Sequence, residues 1–305
     1  MSKNNFRFGV SSFGMPILGG GMIPATTGKY WFVSSDTGSD GNSGKAPTRA
    51  LATLDAAIGK CTADKGDVII IMPGHTETLA SAGAVTCDIA GVYVIGLGTG
   101  TLRPAFSLSA TDSSILVTAA NVSIVNCTFS SGVAELVTCF TVSAAGFTLE
   151  GCAVTPTATS MINFMTTTAA ADKLTIKHCD FVTTAIPTAD DYFIMLVGGD
   201  IVKIKDNYFS VLTSNNAGSG SIGGETTVCT AVEITDNTIY SVGTSVVAIR
   251  LYTGSTGIIS GTRTGTTKTD ASGVIVSDAT FPFDNLATND LGGSGFVDPA
   301  IDTAG

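Results

Sequence analysis

The segment Leu174-Thr175-Ile176-Lys177-His178-Cys179-Asp180-Phe181 decides the fold, because its pattern returns along the chain. The pattern is an apolar residue, any residue, an apolar residue, two further residues, Cys or Asn, any residue, and an apolar residue. Its other copies are Val122-x-Ile124-x-x-Cys127-x-Phe129, Phe147-x-Leu149-x-x-Cys152-x-Val154, Val202-x-Ile204-x-x-Asn207-x-Phe209 and Val232-x-Ile234-x-x-Asn237-x-Ile239, with a degenerate copy at Val92-x-Val94-x-x-Leu97. The copies recur every 25–30 residues, which indicates a coil with fixed strands and variable loops.

Each copy alternates apolar and polar residues with a period of two, which predicts a short strand with one buried face. Further apolar runs lie between the copies, such as Ile115-Leu116-Val117 and Val246-Val247-Ala248-Ile249, and nothing between them reads as a helix. Two or three strands per coil predict an all-β parallel solenoid whose coils stack about 4.8 Å apart. The inward core stack is then expected to contain Cys127, Cys152, Cys179, Asn207 and Asn237.

The composition fits a solenoid and argues against several functions. The chain has 305 residues, of which only 13% are charged, and its formal net charge is −10. An acidic chain with few charges is not typical of nucleic-acid binding, and no run reaches the roughly 18 apolar residues of a membrane span. Seven cysteines without a Cys-x-x-Cys pair predict buried free thiols rather than a zinc site. We therefore expect no metal, no cofactor, no nucleic-acid partner and no membrane partner.

The chain is predicted to have three parts. Residues 29–280 form the parallel β-helix, with a short capping helix near residues 48–60. Residues 1–28 and 281–305 are predicted to be extended arms, because glycine and proline interrupt their apolar residues. An exposed apolar arm docks either on its own body or on another subunit. The residues expected to make the capsid or subunit contact of the N-terminal arm are Phe6, Phe8, Phe13, Met15, Ile17, Leu18 and Met22.

The opening of the β-helix resembles a known family. The segments Tyr30-Trp31-Phe32-Val33, Thr37-Gly38-Ser39-Asp40-Gly41, Leu51-Ala52-Thr53-Leu54 and Gly66-Asp67-Val68-Ile69-Ile70-Ile71-Met72-Pro73-Gly74 resemble the start of pectin-lyase-like β-helices. The resemblance implies a single-stranded right-handed parallel β-helix. It implies no one activity, since this opening occurs in lyases, hydrolases and non-enzymatic virion proteins. The form here is similar to structural proteins of tailed phages.

No catalytic set emerges from the sequence. Calcium-dependent lyases of this family use clustered Asp ligands with a basic residue, and the basic candidates here are Arg103, Lys173, Lys177, Lys203, Lys205 and Arg250. Asp180, Asp206 and Asp236 are expected to form a charged strip with Lys177 and Lys205, which we interpret as a solvated ladder. The adjacent pair His178 and Cys179 should point to opposite faces of a strand and so cannot act together.

The spacing of the carboxylates in the sequence does not identify a catalytic pair for glycoside hydrolysis either. Asp190, Asp191, Asp200 and Glu225 lie in or near loops, and the longest loops, 182–191 and 212–227, are where a carbohydrate groove would be sought. The Asp36/Asp40 loop leaves calcium binding open, although tight turns explain its Gly and Asp residues better. Aromatic residues make up only 7% of the chain, and most occupy predicted core positions, which leaves few for stacking on sugars.

Function is therefore expected to be structural. The sequence favours a non-enzymatic phage virion protein, a homotrimeric capsid decoration (cement) protein on the capsid exterior, whose arms bind the major capsid protein. The alternatives are a tailspike or tail-fibre polysaccharide depolymerase, acting as a lyase or a glycoside hydrolase, and a non-catalytic receptor-binding β-helix.

Overall fold

A computed structural model describes residues 24, 26–214, 219–224, 226–243 and 246–267 in full. Outside these ranges it gives only the backbone of short strands at the two ends of the chain. The arm residues Phe6, Phe8, Phe13, Ile17, Leu18 and Met22 lie outside the described residues, as do the side chain of Met15 and all of Glu225.

The described chain winds into a right-handed parallel β-helix, which confirms the predicted fold class. One 18-stranded sheet is bent lengthwise into two faces, here called face 1 and face 2, and a 9-stranded sheet forms face 3. From Val68 onward, each coil contributes one strand to each face and pairs in parallel with the neighbouring coils. All the long loops therefore lie at the corners between faces.

The strands of face 1 are Tyr30–Val33, Val68–Ile71, Tyr93–Gly96, Ser123–Val125, Thr148–Glu150, Thr175–Lys177, Lys203–Lys205 and Val232–Thr235, followed by the first half of Gly257–Thr266. Face 2 consists of Thr76–Leu79, Ala105–Leu108, Thr128–Ser131, Ala153–Val154, Asp180–Val182, Tyr208–Leu212, Thr238–Val242 and the second half of Gly257–Thr266. Face 3 consists of Val85–Cys87, Ile115–Val117, Leu136–Val142, Met161–Thr167, Tyr192–Met195, Gly220–Gly223, Val247–Arg250, Ile275–Ser277 and Ala300–Ile301.

The repeat of the sequence sets the register of face 1. Ile124 pairs with Val94 on one side and with Leu149 on the other, and the column continues through Ile176 to Ile204. These aliphatic side chains are buried in one continuous core cluster. The core also holds rings from faces 2 and 3 in edge-to-face, tilted or stacked contact, with centroids 4.8–6.0 Å apart. The coil is a packed rod rather than a channel.

The N-terminal end is closed by a short capping segment. A 3₁₀ turn at Pro47–Arg49 precedes the α-helix α1 at Leu54–Ile58, so the helix is shorter than the 48–60 span expected from spacing. The Thr53 hydroxyl caps α1 by accepting a hydrogen bond from the Ala56 N–H, and the Glu77 carboxylate accepts one from the Leu54 N–H. Leu54 and Ile58 are buried against the first coils. Among the fully described residues, no helix is long and apolar enough to cross a membrane.

Parallel pairing continues beyond residue 280. The strand Phe283–Asn289 pairs in parallel with Gly257–Thr266, and Ser294–Phe296 pairs with it in the antiparallel sense. Part of the predicted C-terminal tail thus extends the sheets. At the other end, Ser11–Ser12 pairs with Met15–Pro16 as a two-stranded antiparallel sheet.

Candidate functional site

A strip of charged side chains runs along the corner where face 1 turns into face 2. Its members occupy the last outward position of a face 1 strand, the corner itself, or the first outward position of a face 2 strand. We call this set the outer strip, and it consists of Glu150, Lys177, His178, Asp180, Lys205, Asp206 and Asp236. These residues alternate with inward residues such as Ile176 and Phe181, so their side chains face solvent. The predicted neighbours Lys177 and Lys205 are indeed register partners on adjacent strands.

The corner residues share a left-handed backbone. The φ angles are 57° at Asn126, 54° at His178, 55° at Asp206 and 56° at Asp236. Asn, Asp and His are the side chains that best tolerate this conformation, and Gly151, at φ 58°, adopts it without steric penalty. The backbone therefore accounts for the residue types at this corner, and the same geometry presents the imidazole and the carboxylates to solvent.

Hydrogen bonds inside the corner hold the outer strip in place. The Asn207 amide donates to the carbonyl of Ile176 at 3.0 Å, and the Asn237 amide donates to the carbonyl of Ile204 at 2.8 Å. Asn207 also accepts from the Cys179 N–H at 2.9 Å, and Asn237 Oδ1 accepts from both the N–H and the side-chain amide of Asn207 at 3.0 Å. Each of these groups is buried, so the corner is a rigid support for the groups outside it.

The centre of the outer strip is His178. Its Nδ1 lies 3.7 Å from a Glu150 oxygen, and its Nε2 lies 3.7 Å from an Asp206 oxygen, one coil away on each side. The Glu150 carboxylate also forms an ion pair with Lys177 at 3.1 Å. The imidazole is 55% exposed, against 28% for the Lys177 side chain and 32% for Glu150. The most accessible group of the cluster is thus a proton carrier with a carboxylate facing each ring nitrogen.

One cation of the outer strip has no anion of its own. Lys177 is paired with Glu150, and Lys203, on the neighbouring outward column, is paired with Glu233 at 3.3 Å. Lys205 has no ion-pair partner within the part of the chain that the structure describes. Its positive charge is therefore available to an external anion next to the exposed imidazole of His178.

Two exposed tyrosines flank the outer strip on face 2. Tyr208 is 43% exposed and Tyr240 is 41% exposed, and both point outward from adjacent strands. Strand geometry separates their Cα atoms by roughly 8 Å, since they are two residues apart along the strand and one strand apart across the sheet. Exposed rings present flat apolar surfaces with a polar hydroxyl. The expectation that few aromatics remain for sugar stacking therefore overlooked two that the alternation of the repeat already places outside.

The other basic candidates do not join this site. Arg103 donates from its Nε to the Asn126 side-chain oxygen at 2.9 Å, near the N-terminal end of the same corner. Lys173 lies at the corner between faces 3 and 1, where its φ is 58°, and Arg250 ends a face 3 strand.

Three of the four predicted loop carboxylates lie among the described residues, and each has a contact of its own. Asp190 accepts a hydrogen bond from the Ser214 hydroxyl, and the Asp191 carboxylate accepts one from the Tyr192 N–H at 2.8 Å. Asp200 lies in an isolated bridge with Thr230 at the corner before face 1.

The loop 182–191 is fixed by a residue that the sequence did not single out. Glu135 accepts hydrogen bonds from the Ser160 hydroxyl at 2.6 Å and from the Thr188 hydroxyl at 2.9 Å. These hydrogen bonds, that of Ser160 first, lower the pKa of Glu135. These contacts fix the loop to Glu135 and Ser160, which directly precede the face 3 strands Leu136–Val142 and Met161–Thr167.

The stacked thiols are not nucleophiles. Burial holds the pKa of Cys127 and Cys179 well above that of an ordinary thiol, and it raises the pKa of Cys152 to about 12. Cys179 points into the core while His178 points to solvent. The two side chains therefore face opposite sides, as the alternation indicated.

The Asp36/Asp40 loop is organised by protein groups. The Asp40 carboxylate accepts hydrogen bonds from the N–H groups of Ala52 and Thr53 at 2.8 and 3.0 Å, and from the Thr53 hydroxyl at 3.1 Å. It joins the loop to the start of α1. Within the fully described ranges, no group of three or more His, Cys, Asp or Glu side chains is placed to hold a metal ion.

Comparisons with known proteins give a likeness of structure only. No family model matches the chain, and no curated protein matches its sequence. Among solved structures, a rhamnogalacturonan lyase is similar with a TM-score of 0.55 and 14% identity over 86% of this chain and 74% of the lyase. A GH136 lacto-N-biosidase from Eubacterium ramulus is similar over 86% of this chain and 67% of its own, with a TM-score of 0.38 and 10% identity.

The likeness to the lyase corrects one expectation. The prediction that the chain is not an enzyme does not stand, because a solved structure similar to the chain is that of an enzyme, a rhamnogalacturonan lyase. The prediction relied on the small number of charged residues in the sequence, whereas the coil brings residues 150, 178 and 206 together. At 14% identity the likeness shows the fold alone, which is a right-handed parallel β-helix.

Proposed function

We propose that this protein cleaves an acidic polysaccharide, which it binds along the outer strip. The observation that carries the proposal is the exposed imidazole of His178, held between the carboxylates of Glu150 and Asp206. Lys205 lies on the next coil, where its carbonyl accepts a hydrogen bond from the His178 N–H at 3.4 Å. A base next to a free cation is what eliminative cleavage of a uronate polymer requires. The shared fold of a rhamnogalacturonan lyase supports the same reaction class.

In this reaction His178 is the base and Lys205 is the electrostatic partner. Lys205 binds the uronate carboxylate and stabilises the negative charge that develops when the neighbouring carbon loses its proton. His178 takes that proton, the electron pair of the C–H bond forms a carbon–carbon double bond, and the bond to the leaving glycosidic oxygen breaks. The leaving oxygen takes a proton from water. Glu150 and Asp206 lie 3.7 Å from the two ring nitrogens and orient the ring.

Sugar binding is assigned to the exposed rings on face 2. Tyr208 and Tyr240 lie beside the corner, and each offers an exposed face for the apolar surface of a sugar ring. A polymer lying across the coils would contact both rings while its carboxylate reaches Lys205. The net charge of −10 and the four carboxylates of the outer strip repel an anionic polymer, so binding depends on the local contact with Lys205 and should be helped by salt, which screens the more distant charges.

Glycoside hydrolysis is the second candidate, and the two carboxylates beside His178 favour it. Glu150 and Asp206 belong to strands two coils apart, a separation of roughly 10 Å between their backbones. Inverting glycosidases hold their acid and base about 6.5–9.5 Å apart. In this mechanism the carboxylates carry out the chemistry and His178 has a positioning role.

An assay with two readouts separates these reactions. The protein is incubated with polygalacturonate, with rhamnogalacturonan and with a neutral glucan, while ultraviolet absorbance reports unsaturated ends and a reducing-sugar assay reports all new ends. Elimination raises both signals with the acidic polymers only, whereas hydrolysis raises reducing ends alone. A folded protein that gives neither signal with any acidic polymer contradicts the proposal.

Two matched variants test the role of His178. His178→Asn retains a side chain that tolerates the left-handed corner, so the fold should persist while the eliminative rate falls by about 100-fold or more. Asp64→Asn changes a residue of similar φ, 56°, that lies outside the outer strip, and it should leave the rate nearly unchanged. If His178→Asn keeps the wild-type rate, His178 is not the base.

The homotrimeric state and the association with a phage particle remain predictions. The sequence favours a homotrimer on a phage particle, and a tailspike or tail-fibre depolymerase is the form of that prediction that agrees with the proposed activity. Sedimentation of the purified protein tests the trimer, and labelling of purified particles with an antibody tests association with the capsid or the tail.

A further inference from the structure

The outer surface of face 1 carries an apolar patch at its N-terminal end. It consists of the outward residues of the first four strands, namely Phe32, Val68, Ile70, Ile95 and Val125, with the half-buried Tyr30, Met72, Tyr93 and Leu97 at its rim. We call this set the outer apolar patch. It is separate from the main core, because the inward residues of the same strands, such as Ile69 and Val94, belong to a different cluster.

The register of the strands places the side chains of the patch on the outer surface of the sheet, and yet they are buried. Ile70 and Ile95 are 0% exposed, and Val68 is 1% exposed. Neighbouring strands cover the sides of an outward residue but not its top, so such burial requires another layer above the sheet. Ala50, beside the first strand, is the only other buried apolar residue of the cluster among the residues that the structure describes.

The outward column that contains Ile70 and Ile95 changes from apolar to charged residues along the rod. Ile70 pairs in register with Ile95, and Ile95 leads through Val125 to Glu150 and Lys177 on the following strands. An uncovered column would tolerate charge throughout, as its second half does. The apolar first half therefore indicates a cover that ends near Val125.

The chain itself supplies an occupant of the right chemistry and position. Pro24 accepts a hydrogen bond from the Tyr30 hydroxyl at 3.1 Å, so the chain reaches the rim of the patch at residue 24. Before it lie 23 residues, which include Met15, Ile17, Leu18 and Met22. Fully extended they span roughly 75 Å, whereas four strands are only about 14 Å across. A few residues before Pro24 suffice to cover the patch.

We propose that residues 13–23 dock on the outer apolar patch of their own β-helix. The arm then covers the first four coils of its own chain. Its apolar residues are buried in this contact and do not contact a second subunit. The inference is independent of the proposed activity, which concerns the other half of the same face.

Hydrogen exchange of the full chain, read by mass spectrometry, tests this. The expected result is that amides of residues 13–23 exchange at least tenfold more slowly than those of a synthetic peptide of residues 1–23. Ile95→Lys places a charge in the covered region and should remove this protection. Thr235→Lys makes the change in the same outward column at the uncovered end, and it should leave the protection intact.

Two results would overturn the proposal. Exchange of residues 13–23 at the rate of the free peptide would show that nothing covers the patch from this segment. Protection that disappears on dilution would show that the arm docks on a second copy instead. As a second measurement, Ile95→Lys should raise the unfolding equilibrium constant at least 100-fold in the full chain and less than tenfold after deletion of residues 2–23, and equal effects in both would also reject the inference.

Discussion

The two halves of face 1 have the same inner surface and opposite outer surfaces. Inside, Ile69, Val94, Leu149 and Ile204 are interchangeable aliphatic residues of one core. Outside, the N-terminal half is apolar and fully buried at Ile95, whereas the C-terminal half is charged around Lys177. The inner surface determines that the chain coils, and the outer surface determines what each part of the coil contacts.

Alkaline pH should produce the largest difference in stability between coils along the rod. Buried thiols occupy the inward corner position of three successive coils, at Cys127, Cys152 and Cys179, whereas the next two coils have Asn207 and Asn237 there. Burial raises the pKa of Cys87 and Cys152 to about 12. An unfolded thiol ionises near pH 8.5, so the stability is complete below that pH and is lost as the pH rises toward 12, by about 1.4 kcal/mol per pH unit for each thiol. Hydrogen exchange near pH 10 should show the coils around Cys127 opening before those around Asn237. Simultaneous opening of both ends would contradict the assignment.

Exchanging the residue types of Ile95 and Lys177, which lie in one outward column, should have the next largest effect on stability. Ile95→Lys places a charge where nothing is exposed and is expected to cost about 3 kcal/mol, whereas Lys177→Ile at the equivalent position should change stability by less than about 1 kcal/mol. Urea unfolding measures both. Similar costs for the two variants would mean that the halves do not differ in cover.

The inward corner positions change along the rod from cysteine to asparagine, and their hydrogen bonds change in strength accordingly. Asn207→Ala leaves the buried Cys179 N–H and the Ile176 carbonyl without their partner, which should cost about 2 kcal/mol. Cys152→Ala removes the sulfur that accepts a hydrogen bond from the Cys127 N–H at 3.4 Å and contacts the Ile124 carbonyl at 3.7 Å. Because sulfur is a weak hydrogen-bonding atom, the loss should be smaller, about 1 kcal/mol. Thermal unfolding of both variants checks the order, and a larger loss for Cys152→Ala would reverse it.

The smallest effect is expected at a strained corner. Ile201 has a φ of 61°, which a β-branched residue rarely adopts, and its side chain is 41% exposed. Ile201→Asn should therefore raise the free energy of unfolding by about 1 kcal/mol. Ala231→Asn relieves a similar backbone, at φ 51°, with a smaller residue and should give a smaller gain. A loss of stability at Ile201 would show that its side chain makes a contact worth more than the strain.

The fold was predictable because the core repeats in sequence. The aliphatic positions from Val94 to Ile234 mark one register column, and the Cys or Asn three residues later marks the corner. The repeat was interpreted as one strand per copy, whereas each copy is two strands joined at a left-handed residue such as His178. A single sequence pattern shows which residues are inward but not where the chain bends between them.

The candidate site was only partly predictable. Alternation placed Lys177 and Lys205 outward on adjacent coils, and this holds in the structure. The contact of His178 with both Glu150 and Asp206 depends on coils of unequal length coming into register, which the sequence does not encode locally. The exposure of Tyr208 was encoded by the alternation but was set aside on overall composition.

Affinity electrophoresis in a gel that contains polygalacturonate tests most directly whether the charged half of face 1 is the functional half. Lys205→Met removes the unpaired cation of the outer strip, and Lys173→Met removes an exposed lysine at another corner as the control. We expect the wild type and Lys173→Met to be retarded equally, and Lys205→Met to lose at least tenfold in affinity. Equal retardation of all three proteins, or equal loss in both variants, would contradict the assignment of the outer strip as the polysaccharide site.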